Sequence, residues 1–244
     1  MRLRYLYRAF KARYRDQCEE LEASLTAIRQ GDAVVDAGAN KGAYLFWLRR
    51  AVGSAGNVFA FEPQPTLAKY LQDICRTMNW SNVHVKASAV SDRSGKARLH
   101  VPGEKDSPGA SLETAVADKP GRSFECPITT LDEQLAAAER VSLLKVDVEG
   151  HELNLFRGAE QTLKKHKPLI VFECEARHLT HHKPSDVFSY LQSLGYVGQF
   201  FSTTGLRPLA EFNLAVHQKS DGDRFWDAKD YCNNFCFSHP EAKR

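Results

Sequence analysis

Ala33-Val34-Val35-Asp36-Ala37-Gly38-Ala39-Asn40-Lys41-Gly42 is the stretch whose reading decides the fold. It opens as a short apolar run, reaches a carboxylate, and passes into a glycine-containing turn, the pattern of a buried parallel strand that feeds a helix. The spacing predicts that helix at once: Tyr44, Leu45, Trp47, Leu48 and Val52 share an apolar face, and the glycines at 53 and 56 stop it. Working outward, residues 57–61 read as a second strand closed by Glu62-Pro63, 65–78 as a helix carrying Leu67, Leu71 and Ile74, and 83–90 as a third strand.

Residues 91–127 break the rhythm, with strand patterns at 97–101 and 124–128 around a polar loop at 102–121, so a hairpin insertion is expected. Thr130 is placed to cap a helix from Leu131, with Glu133 completing a capping box. The alternation then resumes: a strand at 141–148, a helix at 152–166, a strand at 168–173, a helix capped by Ser185 and ended by Gly195, and a strand at 196–201. Two segments, 212–216 and 234–237, compete for a last, antiparallel strand. Helices between strands return the chain to the same end of the sheet, so the prediction is an α/β fold with a doubly wound, mostly parallel sheet.

At 244 residues the chain suits one domain, predicted over 31–244 and preceded by an amphipathic helical segment over 1–30. With 43% hydrophobic and 26% charged residues it falls among globular proteins rather than disordered ones. No apolar run reaches the roughly 20 residues of a membrane span, and arginines and a lysine punctuate the first 15, so neither a transmembrane segment nor a secretory signal is read. A cytoplasmic location is expected. Six cysteines without a CxxC pair suggest reduced thiols. The net charge of +3 gathers in the N-terminal segment, and nucleic acid is not expected as a partner. That segment, with Leu3, Tyr7, Phe10 and Tyr14 among arginines, is suited to its own domain, a second subunit of a homo-oligomer, or a membrane surface; docking onto protein is the simpler expectation.

Ligands of an open parallel sheet sit beyond the carboxyl ends of its strands. Asp36 and the glycines Gly38 and Gly42 stand at the first such end, and Glu62 at the second can accept from a ribose diol. A nucleoside is implied. A dinucleotide enzyme needs GxGxxG to rest a pyrophosphate on the helix start, whereas this loop reads DxGxxxG. Asp36 repels a pyrophosphate and suits an amino-acid ammonium, which favours S-adenosylmethionine. A nicotinamide-dependent oxidoreductase and a non-catalytic nucleoside-binding module remain the alternatives.

These residues resemble the FkbM-type methyltransferases, whose sheet is the Rossmann-like one of the class I S-adenosylmethionine enzymes. The likeness runs from Gly31 to Glu173 and rests on the loop at 34–42, Phe61-Glu62-Pro63, Ala89-Val90-Ser91-Asp92 with Gly95, Thr130-Leu131-Asp132, Leu144-Lys145-Val146-Asp147-Val148-Glu149-Gly150-His151-Glu152 and Gly158-Ala159. The resemblance implies that Asp36, Gly38, Asn40, Gly42 and Glu62 hold the cofactor and that Asp92 lies near its adenine. It also implies O-methylation of a small-molecule or glycan hydroxyl, with the acceptor chosen by segments outside the shared core.

An alcohol is a poor nucleophile, and a base that takes its proton contributes roughly 10²- to 10⁴-fold. Asp147, Glu149 and His151 fall at every second position and share a face for as long as the strand continues. Asp147 is the leading candidate to orient or deprotonate the acceptor, His151 competes as a neutral base at a helix start, and Glu149 supports either. Glu149 and Glu152 could instead cap the helix. A divalent ion held by these groups with Glu173, Glu175 or His178 is the less favoured arrangement, and no metal ligand is assigned.

Overall fold

The computed structural model describes residues 1–113, 120–222 and 224–242. Two helices, α1 (Arg2–Lys11) and α2 (Cys18–Thr26), lead into β1 (Ala33–Ala37), all five of whose residues are buried. A strand buried along its whole length belongs in the middle of a parallel sheet, where helices cover both faces. Next come α3 (Leu45–Val52), β2 (Asn57–Phe61), α4 (Pro65–Thr77) and β3 (Val83–Lys86), as the periodicity predicts.

The strand expected over 83–90 is in fact two. β4 (Ala89–Val90) leaves the main sheet and joins β5 (Gly95–Pro102) and β6 (Gly121–Thr129) in a small sheet of order β4-β6-β5. β5 and β6 are the expected hairpin, antiparallel from Gly95↔Ile128 to Pro102↔Gly121, and residues 114–119 of the predicted loop lie outside the described residues. Thr130 caps α5 (Leu131–Gln134) by accepting from the Glu133 N–H at 3.2 Å. The Glu133 carboxylate turns to the Ser94 hydroxyl, so the box closes on one side only.

β7 (Val141–Val146) stops two residues earlier than the pattern suggests. The helix expected over 152–166 is broken into α6 (Glu152–Arg157) and α7 (Glu160–His166), because the Asp132 carboxylate reaches over from α5 and accepts from the N–H groups of Gln161 and Thr162, at 3.0 and 2.8 Å. β8 (Leu169–Glu173) is followed by α8 (Pro184–Ser193), which starts at Pro184 rather than on a Ser185 cap; Asp186 accepts from the Lys183 N–H at 2.8 Å instead. After β9 (Val197–Ser202) and β10 (Gly205–Pro208), Asn213 caps the short α9 (Leu214–His217), so the final strand is β11 (Asn234–Ser238).

Among the described residues eight strands make the main sheet, in the order β10-β9-β11-β8-β7-β1-β2-β3. β3, β2, β1, β7 and β8 run parallel, and β11 enters antiparallel between β8 and β9. Val35, Ala37, Leu144, Val146 and Phe172 pack on one face against Phe156 of α6, Leu163 of α7 and Phe188 of α8. Val34, Val58, Leu143 and Val171 pack on the other against Leu21 of α2 and Leu45 and Leu48 of α3. The six cysteines are free thiols. Among the described residues no helix is long and apolar enough to cross a membrane.

Candidate functional site

Strand order reverses at β1: the chain travels outward through β2 and β3 on one side and comes back to β7 and β8 on the other. The carboxyl ends of β1, β2 and β7 therefore part and leave a crevice. A cavity lies in it, with Gly38, Asn40, Glu62, Ser88, Asp147 and His151 in its wall. Gly38 is where the loop passes closest to the neighbouring strand end: its φ is +80°, and a Cβ there would stand 1.8 Å from the Asp147 carbonyl oxygen. The Gly38 and Ala39 N–H groups donate to the Phe61 carbonyl at 2.9 and 3.0 Å, and the Asp147 N–H donates to the Ala37 carbonyl at 2.9 Å. Main-chain bonds thus tie three strand ends around one space.

Glu62 is 2% exposed, and its two oxygens accept from the Asn40 N–H at 2.8 Å and the Gln64 N–H at 2.9 Å. Burial pushes its carboxyl up to about 7 despite those bonds. Asp36 does not line the cavity. It lies on the face of β1 that it shares with Val34, beside Lys145, its neighbour in the β7 register, and Oδ1 has no hydrogen-bond partner. Burial raises the Asp36 carboxyl to about 6; Lys145 acts against that rise and Asp147 adds to it.

The insertion covers the cavity, which sequence reasoning missed. Gln64 and Ser107 bond reciprocally, Nε2 to the Ser107 carbonyl at 2.9 Å and the Ser107 N–H to Oε1 at 3.0 Å. Ser111 Oγ donates to the Glu149 carbonyl at 2.5 Å, and Glu113 Oε1 lies 2.7 Å from His151 Nδ1. Leu99, Pro108 and Leu112 supply the apolar side of the wall. The available signal was Gln64, a side-chain amide just past the Glu62-Pro63 strand end, opposite a polar loop with no other evident task.

The expectation that Asp147, Glu149 and His151 share a face fails, because β7 ends at Val146 and the chain turns through left-handed conformations at Glu149 (φ 54°) and Gly150 (φ 101°). Asp147 and His151 both face the cavity, but Asp147 Oδ2 is held by Lys145 Nζ at 3.0 Å, and the buried His151 ring is engaged by Ser91 Oγ at 2.9 Å as well as by Glu113. Glu149 turns aside to His178, with 2.7 Å between Oε2 and Nδ1 in an oblique approach. Glu152 is fully buried and accepts from the Gly150 N–H at 2.9 Å, so it secures this turn.

One carboxylate oxygen each from Asp147, Glu149 and Glu173 gathers within 4.8 Å of the others, an arrangement that could hold a cation. Burial raises the carboxyls of Glu149 and Glu173, the former opposed by His178 and the latter reinforced by Asp147. Glu175 behaves oppositely: burial alone would raise it, but hydrogen bonds from Arg177, Glu173 and Tyr231 bring it down to about 2. Lys145 is the cation that this group already contains. Burial alone would lower its ammonium, yet Asp147 and Asp36 raise it above its ordinary value, and it lies 5.3 Å from the Tyr44 ring centre.

The profile of the methyltransferase FkbM domain matches residues 36–197. The chain belongs to the FkbM methyltransferase family. Its fold is that of methyltransferase FkbM from Methylobacillus flagellatus KT, with 18% identity, a TM-score of 0.52, and 95% of this chain but 53% of that one covered. This chain therefore spans about half the length of that protein. Also similar are an S-adenosylmethionine-dependent O-methyltransferase from Thermotoga maritima (17% identity, 93% and 67% covered, TM-score 0.48) and an O-methyltransferase from Bacillus cereus in complex with S-adenosylhomocysteine (12%, 91% and 80%, 0.47). No curated protein matches the sequence.

Within this FkbM domain the remaining expected cofactor residues lie away from the cavity wall. Gly42 packs beneath the loop, where a Cβ would stand 2.7 Å from a Leu71 methyl and 3.3 Å from the Tyr5 ring. Asp92 sits at the β4–β5 turn, where it accepts from Ser91 Oγ and Arg93, each at 3.1 Å; Ser88, Ala89 and Val90 form that side of the cavity instead.

Proposed function

We propose that this chain transfers the methyl group of S-adenosylmethionine to a hydroxyl of a sugar or secondary metabolite, with residues 31–244 as the catalytic domain. The observation that carries the reading is the meeting of Gly38, Glu62 and Asp147 on one cavity. The donor set suits an adenosyl amino acid. Glu62 offers its remaining lone pairs to a ribose diol, Gly38 and Asn40 present close main chain, and the segment at 88–90 makes a flat wall for a base. Asp36, with an unpartnered oxygen beneath the loop, supplies a negative field to an ammonium above it.

When bound, the cofactor supplies an electrophilic methyl carbon on a sulfonium. The chain's own part is alignment and proton handling. Lys145 fixes Asp147 through Oδ2, which leaves Oδ1 to orient an acceptor hydroxyl and take its proton. His151, committed on both ring nitrogens, positions Ser91 and Glu113 at the cavity edge. Because Lys145 already gives Asp147 its cation, turnover is expected to survive a chelator; loss restored by magnesium would instead assign the carboxylate group to a metal.

Calorimetry tests the reading: S-adenosylhomocysteine should bind and NAD should not. Methyl-tritiated donor offered with a panel of glycans and hydroxylated metabolites should then label an acceptor. Binding of NAD alone would overturn the methyltransferase reading, and cofactor binding without any labelled acceptor would favour a non-catalytic module.

A further inference from the structure

Helix α1 has two apolar faces, and its own domain covers one of them. Tyr5, Ala9 and Ala12 are buried; Tyr5 stacks edge-on against Trp80, the Ala9 carbonyl accepts from Trp47 Nε1 at 2.8 Å, and Arg8 reaches the Tyr70 hydroxyl. On the opposite side Leu3 and Tyr7 stand clear of the domain, and Phe10, with Tyr14 in the π-helical turn Ala12–Asp16 that continues α1, extends the stripe while resting by one edge on Phe46 and Trp47. Leu3, Tyr7, Phe10 and Tyr14 are 83%, 66%, 45% and 66% exposed. The aromatic edge accounts for part of Phe10 and Tyr14, but solvation gives no reason for Leu3, Tyr7 and the outer faces of those rings to line up in water.

The charge beside the stripe says what it meets. Of the chain's 33 lysines and arginines six lie within the first 15 residues, where no acid occurs, and the remainder of the chain carries more acids than bases. Arg2 and Arg4 have no acidic partner among the described residues, while Lys11 and Arg15 share the single carboxylate of Asp16. A helix fixed to its domain by one face, with aromatic and aliphatic side chains on the other and arginines at the margins, has the composition of an interfacial helix. We infer that α1 docks this enzyme onto an anionic lipid bilayer, with Leu3, Tyr7 and Tyr14 entering the headgroup region and the arginines facing lipid phosphates. The inference stands on the exposed face of α1 and is independent of the methyl acceptor.

Sedimentation of the full chain with vesicles tests it. Vesicles of equal parts phosphatidylcholine and phosphatidylglycerol should carry the protein down, pure phosphatidylcholine should carry far less, and raising salt to about 1 M should weaken the attachment. The triple variant Leu3→Ser/Tyr7→Ser/Tyr14→Ser should lose at least about tenfold in partitioning, since each buried apolar group contributes to such binding. Arg2→Gln/Arg4→Gln should lose about fivefold per arginine. Both variants keep Tyr5, Arg8 and Ala9, with Tyr14→Ser removing ring contacts with Phe10 and Trp47, and both should bind S-adenosylhomocysteine as the parent does. Equal sedimentation with neutral and anionic vesicles, or undiminished attachment of the triple variant, overturns the inference. So does a parent chain that is dimeric in solution and becomes monomeric in the triple variant, because the stripe would then be covered by a second copy.

Discussion

The two walls of the cavity are built differently. The β1–β2 wall is made of main chain: Gly38 and Ala39 donate to Phe61, and the Glu62 carboxylate is spent on the N–H groups of Asn40 and Gln64. The β7–β8 wall is made of charge: Asp147, Glu149 and Glu173 crowd together, the ammonium of Lys145 sits on Asp147, and Arg177 holds Glu175 nearby. The Gly38 and Ala39 bonds hold their geometry whatever the pH and leave Glu62 as the titrating group on that wall, whereas crowded carboxylates hold theirs only through a balance of protons and partners. The first wall suits an invariant ligand. The second suits a group that must accept a proton.

Substitutions can break that contrast, and the largest effect is expected where the walls touch. Gly38→Ala places a methyl on the Asp147 carbonyl at a φ unfavourable for alanine, so it should cost about 3 kcal/mol or more of stability and abolish S-adenosylhomocysteine binding. Melting curves and calorimetry read this, and a variant with the parent's melting point and affinity would mean that the two strand ends stand apart. On the charged wall, Asp147→Asn should lower turnover by roughly 10²- to 10⁴-fold with cofactor affinity unchanged. Full turnover removes Asp147 from proton handling.

On the main-chain wall, Glu62→Ala strips acceptors from two N–H groups and from the ligand, and affinity should fall roughly 10- to 150-fold. Smaller still is a pH effect. The carboxyls of Asp36 and Glu62 ionise near 6 and 7 in the folded chain, above the ordinary range near about 4. The folded state thus holds protons that the unfolded state has released, so their contribution to stability is fully present below about pH 4 and is lost as pH rises through 6 to 7. A ligand ammonium needs Asp36 ionised, so binding near pH 6 should expel up to about half a proton, falling towards none by about pH 8. Calorimetry in two buffers of different ionisation heat measures it, and proton uptake would reverse the assignment of Asp36. The smallest effect belongs to Asp92→Asn, which should alter cofactor affinity by no more than about twofold, because that side chain lies outside the cavity. A large loss would bring the β4–β5 turn into the site.

The parallel order of the sheet, the helices α3 and α4, the hairpin and the position of Glu62 were all legible in the chain, because each follows from periodicity, a glycine or a cap within a few residues of itself. The sequence by itself also singled out Asp36, Gly38, Glu62 and Asp147, of which the last three meet on the cavity. Only the tertiary structure decided that Asp36 lies beneath the loop against Lys145, that Asp132 splits a helix by capping its second half, and that Glu149 turns away to His178. It alone folded the insertion over the cavity through Gln64, Ser111 and Glu113. Local pattern specifies which backbone a segment adopts. Where a buried charge or a spare carbonyl finds its partner depends on residues dozens of positions away, and no periodicity encodes that distance.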